Sequence, residues 1–115
     1  MATKVFRALA DVDDIRRQSE RFLTFVTPEP NTGCHLWMGC FDKRHGYGYF
    51  RLWPQKTIAG AHRVAWVIAN GRLPERVDVD HLCHQRSCVN PTHLEAVSHA
   101  ENVKRRDVRR EALGL

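Results

Sequence analysis

A mixed α+β fold, with helices and antiparallel strands in one domain, is the class this sequence predicts, and three observations predict it. Apolar residues recur at helical spacing near the N-terminus and again from Ala61 to Asn70. Between these stretches, aromatic and aliphatic residues punctuated by Gly46 and Gly48 read as strands. Beyond them, a loop dense in Cys, His, Asn and Pro separates two short strand-like segments that lead into a last helix. At 115 residues the chain supports one core, because two would each fall in the size range that needs extra staples.

Taken in order, residues 1–30 are expected to form an N-terminal helix and a connector, and residues 31–115 the functional domain. Ile15, Phe22, Leu23 and Val26 are spaced for an amphipathic helix from Asp11 to about Val26, which Pro28 and Pro30 end. Thr27 to Gly33 is the connector. Trp37, Tyr47, Tyr49, Phe50, Leu52 and Trp53 mark a strand-rich region whose basic hairpin covers 41–60, with Pro54, Gln55 and Lys56 at its tip. A helix follows over 61–70, stopped by Gly71 and Pro74. The last unit, 77–110, begins with a strand carrying Val77, Val79 and Leu82. A second strand from Leu94 to Val97 pairs with it. Ser98 and Glu101 form a capping box, so the final helix starts there, runs into KRRDVRR and holds Asn102 in its first turns. Residues 111–115 are expected to fray.

No apolar run approaches the eighteen or so residues of a membrane span. The first 23 residues mix Lys4, Arg7 and Arg16 with Asp11, Asp13 and Asp14 and lack the apolar core of a secretory signal, which predicts an intracellular protein. In that setting four cysteines argue for metal binding over disulfides. The net charge of +5 is carried by residues 31–76. Lys43, Arg44, Arg51, Lys56, Arg63, Arg72 and Arg76 there could track a polyanion or be an ordinary solvated face. Trp37 and Trp66 read as core, and Trp53 as either core or a base-stacking platform.

Cys83, Cys88 and His93 are spaced C-x4-C-x4-H around one loop, three of the four ligands of a tetrahedral structural zinc. Cys34 and Cys40 are both candidates for the fourth. Cys34 is favoured because it lies just before Leu36 and Trp37, which should anchor a strand in the core. Such a metal staples a small domain.

His81, Asp80 and Asn102 form a second set. A neutral imidazole can take a proton from water near neutral pH, and Asp80 and Asn102 offer the hard oxygen ligands that magnesium prefers. A residue ending the first strand and one starting the helix across the hairpin can face each other, which suits metal-assisted hydrolysis. Taken alone, a His beside an Asp also fits a structural hydrogen-bonded pair. Arg63, just inside its helix, could grip a phosphate or pair structurally with Asp78. His35, His45, His84 and His99 read as surface residues or hydrogen bonders, and His62 stands next to Arg63.

HLCHQRSCVNPTHLE followed by AEN resembles the core of the His-Cys box homing endonucleases, within the HNH superfamily, and of compact phage HNH endonucleases. GCHLWMG, HGYGYF, AHRVAWVIANGRLP and VDVDHLC match upstream in the same order, so the resemblance spans roughly residues 20–106. It implies a ββα-metal (His-Me finger) core stapled by zinc, and an HNH endonuclease domain over 31–115. His81 matches the general base, and Asn102 the helix asparagine that binds a catalytic Mg²⁺ or Mn²⁺. Cys83, Cys88 and His93 match loop zinc ligands and Cys34 the remote one. Asp80 matches a carboxylate that ligates the metal in some relatives, and His93 stands where many have a middle Asn.

The implied partner is double-stranded DNA, held by Lys43, Arg44, Arg51 and Lys56. A monomer would nick it, and a homodimer would place two sites across the duplex. The alternative is a zinc-stapled nucleic-acid-binding module that binds without cutting.

Overall fold

The structure, a computed structural model, describes residues 12–54 and 56–114. The expected helix start at Asp11, the charge mixture of residues 1–11, Gln55 at the hairpin tip and Leu115 lie outside the described residues. Two short helices, α1 (Val12–Arg17) and α2 (Ser19–Leu23), replace the single helix expected up to Val26. Val26 instead opens a strand, β1 (Val26–Pro28), opposite Trp37 in β2 (His35–Trp37), so part of the expected connector is paired backbone. The reason is tertiary: pairing with β2 satisfies main-chain groups that a longer helix would have used.

Next come β3 (Cys40–Phe41), β4 (Gly48–Leu52) and β5 (Thr57–Gly60), an antiparallel sheet in that order. Helix α3 (Ala61–Asn70) follows directly, and Gly71 at φ +96° stops it. Strands β6 (Val77–His81) and β7 (Leu94–Ser98) then pair antiparallel, with Asp80 opposite Glu95 and His81 opposite Leu94. A 3₁₀ turn, Pro91–His93, leads into β7. The last helix, α4 (His99–Ala112), packs on both strands and completes a β-β-α unit. Ser98 Oγ accepts from the Glu101 backbone N–H at 3.1 Å, while the Glu101 carboxylate turns to Arg105. Glu111 and Ala112, expected to fray, are helical.

The core joins these parts. Phe22 stacks on Trp37 at 4.8 Å between ring centroids, and Phe50 meets both rings edge-on at 5.1 and 5.9 Å. Trp37 Nε1 donates to the Cys40 carbonyl, so its one polar atom is satisfied. Gly48 has no alternative here, since a Cβ would lie 2.3 Å from Trp37 Cδ1. Helix α3 buries Ala61, Val64, Ala65 and Val67 against this cluster and against Val79 and Leu94 of the β-β-α unit. Trp66 is partly buried beside the core, whereas Trp53 is exposed. Among the described residues, no helix is long and apolar enough to cross a membrane.

Candidate functional site

Strand β2 does more than pair with β1. Its outer edge bonds to the Cys/His loop, with Trp37 N–H donating to the Ser87 carbonyl at 2.8 Å and Val89 N–H to the His35 carbonyl at 2.7 Å. Asn90 locks the same junction: its Nδ2 donates to the Gly33 carbonyl at 2.7 Å, and its Oδ1 accepts from the Thr92 backbone N–H and hydroxyl. Cys34 is thereby carried to the loop. The ligand atoms of Cys34, Cys83, Cys88 and His93 all lie within 4.8 Å of one another, a group that could hold a metal ion. Cys40 is exposed in β3 and is not part of it.

Burial pushes the Cys88 thiol up to about 12, while a hydrogen bond with Thr32 lowers that of Cys34. A divalent cation would hold such groups as thiolates.

A cleft of about 320 Å³ is lined by Tyr47, His81, Arg86, Asn102, Arg106 and Arg109, with Asp80 and His84 also at its wall. His81 ends β6 and is only 5% exposed. Its Nε2 is 3.0 Å from the Cys88 carbonyl. A carbonyl oxygen only accepts, so Nε2 carries the proton and the lone pair of the neutral ring sits on Nδ1. Burial lowers the His81 pKa below its ordinary value, partly offset by that carbonyl and by Asp80, and this favours the neutral ring. The ring contacts His62 at 4.8 Å and Tyr47 at 5.9 Å between centroids. Burial, with the charges of His81 and Arg63, takes His62 down to about 3.

Asn102, in the first turn of α4, donates through Nδ2 to Asp78 Oδ2 at 3.0 Å. His99 Nδ1 lies 2.8 Å from the same oxygen. Asp78 also faces Arg63, whose guanidinium pKa is lowered by burial and supported by that carboxylate. Arg63 is not among the cleft-lining residues. Asp80 is 7% exposed, and both its oxygens are engaged: Arg109 Nη2 is 3.1 and 3.0 Å from Oδ1 and Oδ2, and Arg105 Nη1 is 3.2 Å from Oδ2. Arg105 also bonds Glu95 and Glu101.

The fold thus brings His81, Asp80 and Asn102 to one cleft and the three cysteines and His93 to another point. Arg63 does not line that cleft and interacts electrostatically with Asp78. Lys43, Arg44, Arg51 and Lys56 are exposed on or beside the hairpin, with Arg51 Nη1 on the Lys56 carbonyl and Lys56 Nζ 5.7 Å from the Trp53 ring. Sequence reasoning names Asp78 only as a partner for Arg63 and does not single out Asn90, Arg86, Arg106 or Arg109. Asn90 carried a readable signal, an Asn before Pro and a hydroxyl residue, which is a cap motif. The arginines carried only charge.

A family model described as HNH endonuclease matches residues 59–104, which run from the end of β5 through the first turns of α4. The "Uncharacterized gene 5.3 protein" of Enterobacteria phage T3 is 30% identical over 78 residues, covering 63% of this chain and 75% of that protein. No solved structure matches the chain.

Proposed function

The chain belongs to the HNH endonuclease family, and on that premise we propose that it is a metal-dependent DNA endonuclease with His81 as general base. The observation that carries this reading is the cleft: a buried histidine held neutral, with its lone pair on Nδ1, shares it with a helix asparagine whose amide nitrogen is already committed to Asp78. That commitment fixes the amide and leaves Asn102 Oδ1 available as a hard oxygen ligand.

Asn102 would hold the catalytic Mg²⁺ or Mn²⁺, and Asp80 would join it only by exchanging Arg109 for the cation. Bound there, a divalent ion supplies positive charge for the scissile phosphate and the departing oxygen. His81 Nδ1 accepts the proton of the attacking water, and the Cys88 carbonyl holds the ring in the required tautomer. Arg63 acts through Asp78, whose charge it balances, and not on the phosphate.

Zinc is the proposed occupant of the four-residue group. A tetrahedral site with zinc–sulfur and zinc–nitrogen bonds of about 2.3 and 2.0 Å requires S···N separations of about 3.5 Å. Cys34 Sγ and Cys88 Sγ stand 3.6 and 3.5 Å from His93 Nδ1. The zinc ties β2 to the loop after β6 and does no chemistry. DNA lies across the cleft and the basic hairpin of Lys43, Arg44, Arg51 and Lys56. Residues 31–115 form the nuclease domain in this reading.

The test is cleavage of supercoiled plasmid with added Mg²⁺ or Mn²⁺. Wild-type protein should cut, and His81→Ala should lose roughly 10²–10⁴-fold in rate while still folded, as judged by a cooperative melt above the assay temperature. Equal rates would remove His81 as the base, and DNA binding without any cutting would favour the binding module.

A further inference from the structure

Helix α4 turns one face to the cleft: Asn102, Arg106, Arg109 and Leu113 line it at spacings of four, three and four residues. By the helical rise, Arg106 stands about 6 Å and Arg109 about 10 Å along the axis from Asn102. The loop after β6 contributes Arg86 to the same lining. Two of the three arginines are held in place. Arg86 Nη1 donates to the His45 carbonyl at 2.5 Å, and its guanidinium lies 5.1 Å from the centroid of the Tyr47 ring, which stacks in turn on His62 and His81. Arg109 is fixed on Asp80. Arg106 also lines the cleft and is exposed, which puts it at the rim.

We propose that Arg86, Arg106 and Arg109 form a phosphate clamp that seats one strand of duplex DNA in the cleft, against His81. This rests on the endonuclease reading. Three guanidiniums against the single carboxylate of Asp80 leave the cleft strongly cationic, and a planar guanidinium fork matches phosphate oxygens geometrically. Holding two of the forks in advance reduces the side-chain freedom lost on binding. The clamp assigns strand seating to α4 and the loop, a role distinct from that of the hairpin cations, which lie on another element. Lys104, on the same helix, borders an adjoining hollow that shares Asp80, His84 and Arg109 with the cleft, but does not line the cleft itself.

The experiment is the salt dependence of binding to a fluorescein-labelled duplex, read by anisotropy without added Mg²⁺. Each phosphate contact contributes about 0.9 to the slope of log K against log salt. Arg86→Gln, Arg106→Gln and Arg109→Gln should each reduce the slope by about that amount, and Lys104→Gln should leave it unchanged. Arg109→Gln leaves Asp80 with Arg105 alone and could weaken the fold. Arg106→Gln, at an exposed rim position, keeps the test decisive if it does. An unchanged slope in a normally melting Arg106→Gln protein overturns the clamp, as does an equal fall for Lys104→Gln. Plasmid cleavage measured in parallel separates the two readings. Slopes that fall in the arginine variants of a protein that never cuts support the clamp and end the nuclease assignment. Cutting by wild type with unmoved slopes does the reverse.

Discussion

Asn102 and Asp78 are joined by a hydrogen bond of 3.0 Å from the amide nitrogen to Oδ2, which ties the first turn of α4 to the second residue of β6. The bond decides which end of the amide is left for the cleft. An asparagine free to flip would present its oxygen and its nitrogen by turns, and only the oxygen can ligate a cation. In the proposed endonuclease, Asp78 would bear on catalysis without touching a substrate.

Asp78→Ala should lower the cleavage rate by about 10–100-fold, the usual scale for a residue that orients a metal ligand, and raise the Mg²⁺ concentration needed for half-maximal rate. Asp78→Asn, which can still accept from Asn102, should recover much of the loss. A magnesium titration of both variants checks this. Unchanged metal dependence in Asp78→Ala would make the bond merely structural.

The Cys34, Cys83, Cys88 and His93 group should hold one zinc per chain, measurable by atomic absorption on purified protein. Chelation should lower the melting temperature and loosen the loop that bears His93, because metal affinity at such sites is folding free energy. Cys34→Ser and Cys88→Ser should lose the metal and destabilise the fold, whereas Cys40→Ser should do neither. Retention of a full equivalent of zinc by Cys34→Ser would exclude it as a ligand.

Buried His81 and partly buried His62, whose Nδ1 is enclosed, predict acid sensitivity. An unfolded histidine titrates near 6.5, while His62 is taken down to about 3 and His81 is also lowered, so below pH 6.5 the unfolded chain binds more protons than the folded one. Stability from His62 is therefore complete above pH 6.5 and falls as pH drops toward its folded pKa, at up to about 1.4 kcal/mol per pH unit. Urea unfolding between pH 6.5 and 5, where carboxylates stay largely ionised, reads the combined contribution of His62 and His81. His62→Phe should flatten the dependence, and an unaltered slope would show that His62 is not its source.

Gly48→Ala should be strongly destabilising, by roughly 1–3 kcal/mol or more, since its methyl group would collide with Trp37 at the centre of the aromatic core. Gly46→Ala is a useful comparison. A Cβ there meets nothing within 4 Å, so its cost comes from the φ of +74° alone. Denaturant midpoints of the pair distinguish packing from backbone strain.

Local spacing determined much of this protein. The C-x4-C-x4-H loop, the Ser98 cap of α4, the stop at Gly71 and the α+β class can all be read along the chain, because each depends on residues a few positions apart. The tertiary structure decided what depends on distant partners. It split the first helix and turned Val26 into a strand opposite Trp37. It brought Cys34, 49 positions before Cys83 in the sequence, to the loop through the pairing of β2 with residues 87–89, and left Cys40 outside. It also brought Arg63 within electrostatic reach of Asp78 and turned Arg106 and Arg109 into the cleft. A run such as KRRDVRR records its charges but not the helix face that meets another element, and that face is set only when α4 packs on β6 and β7.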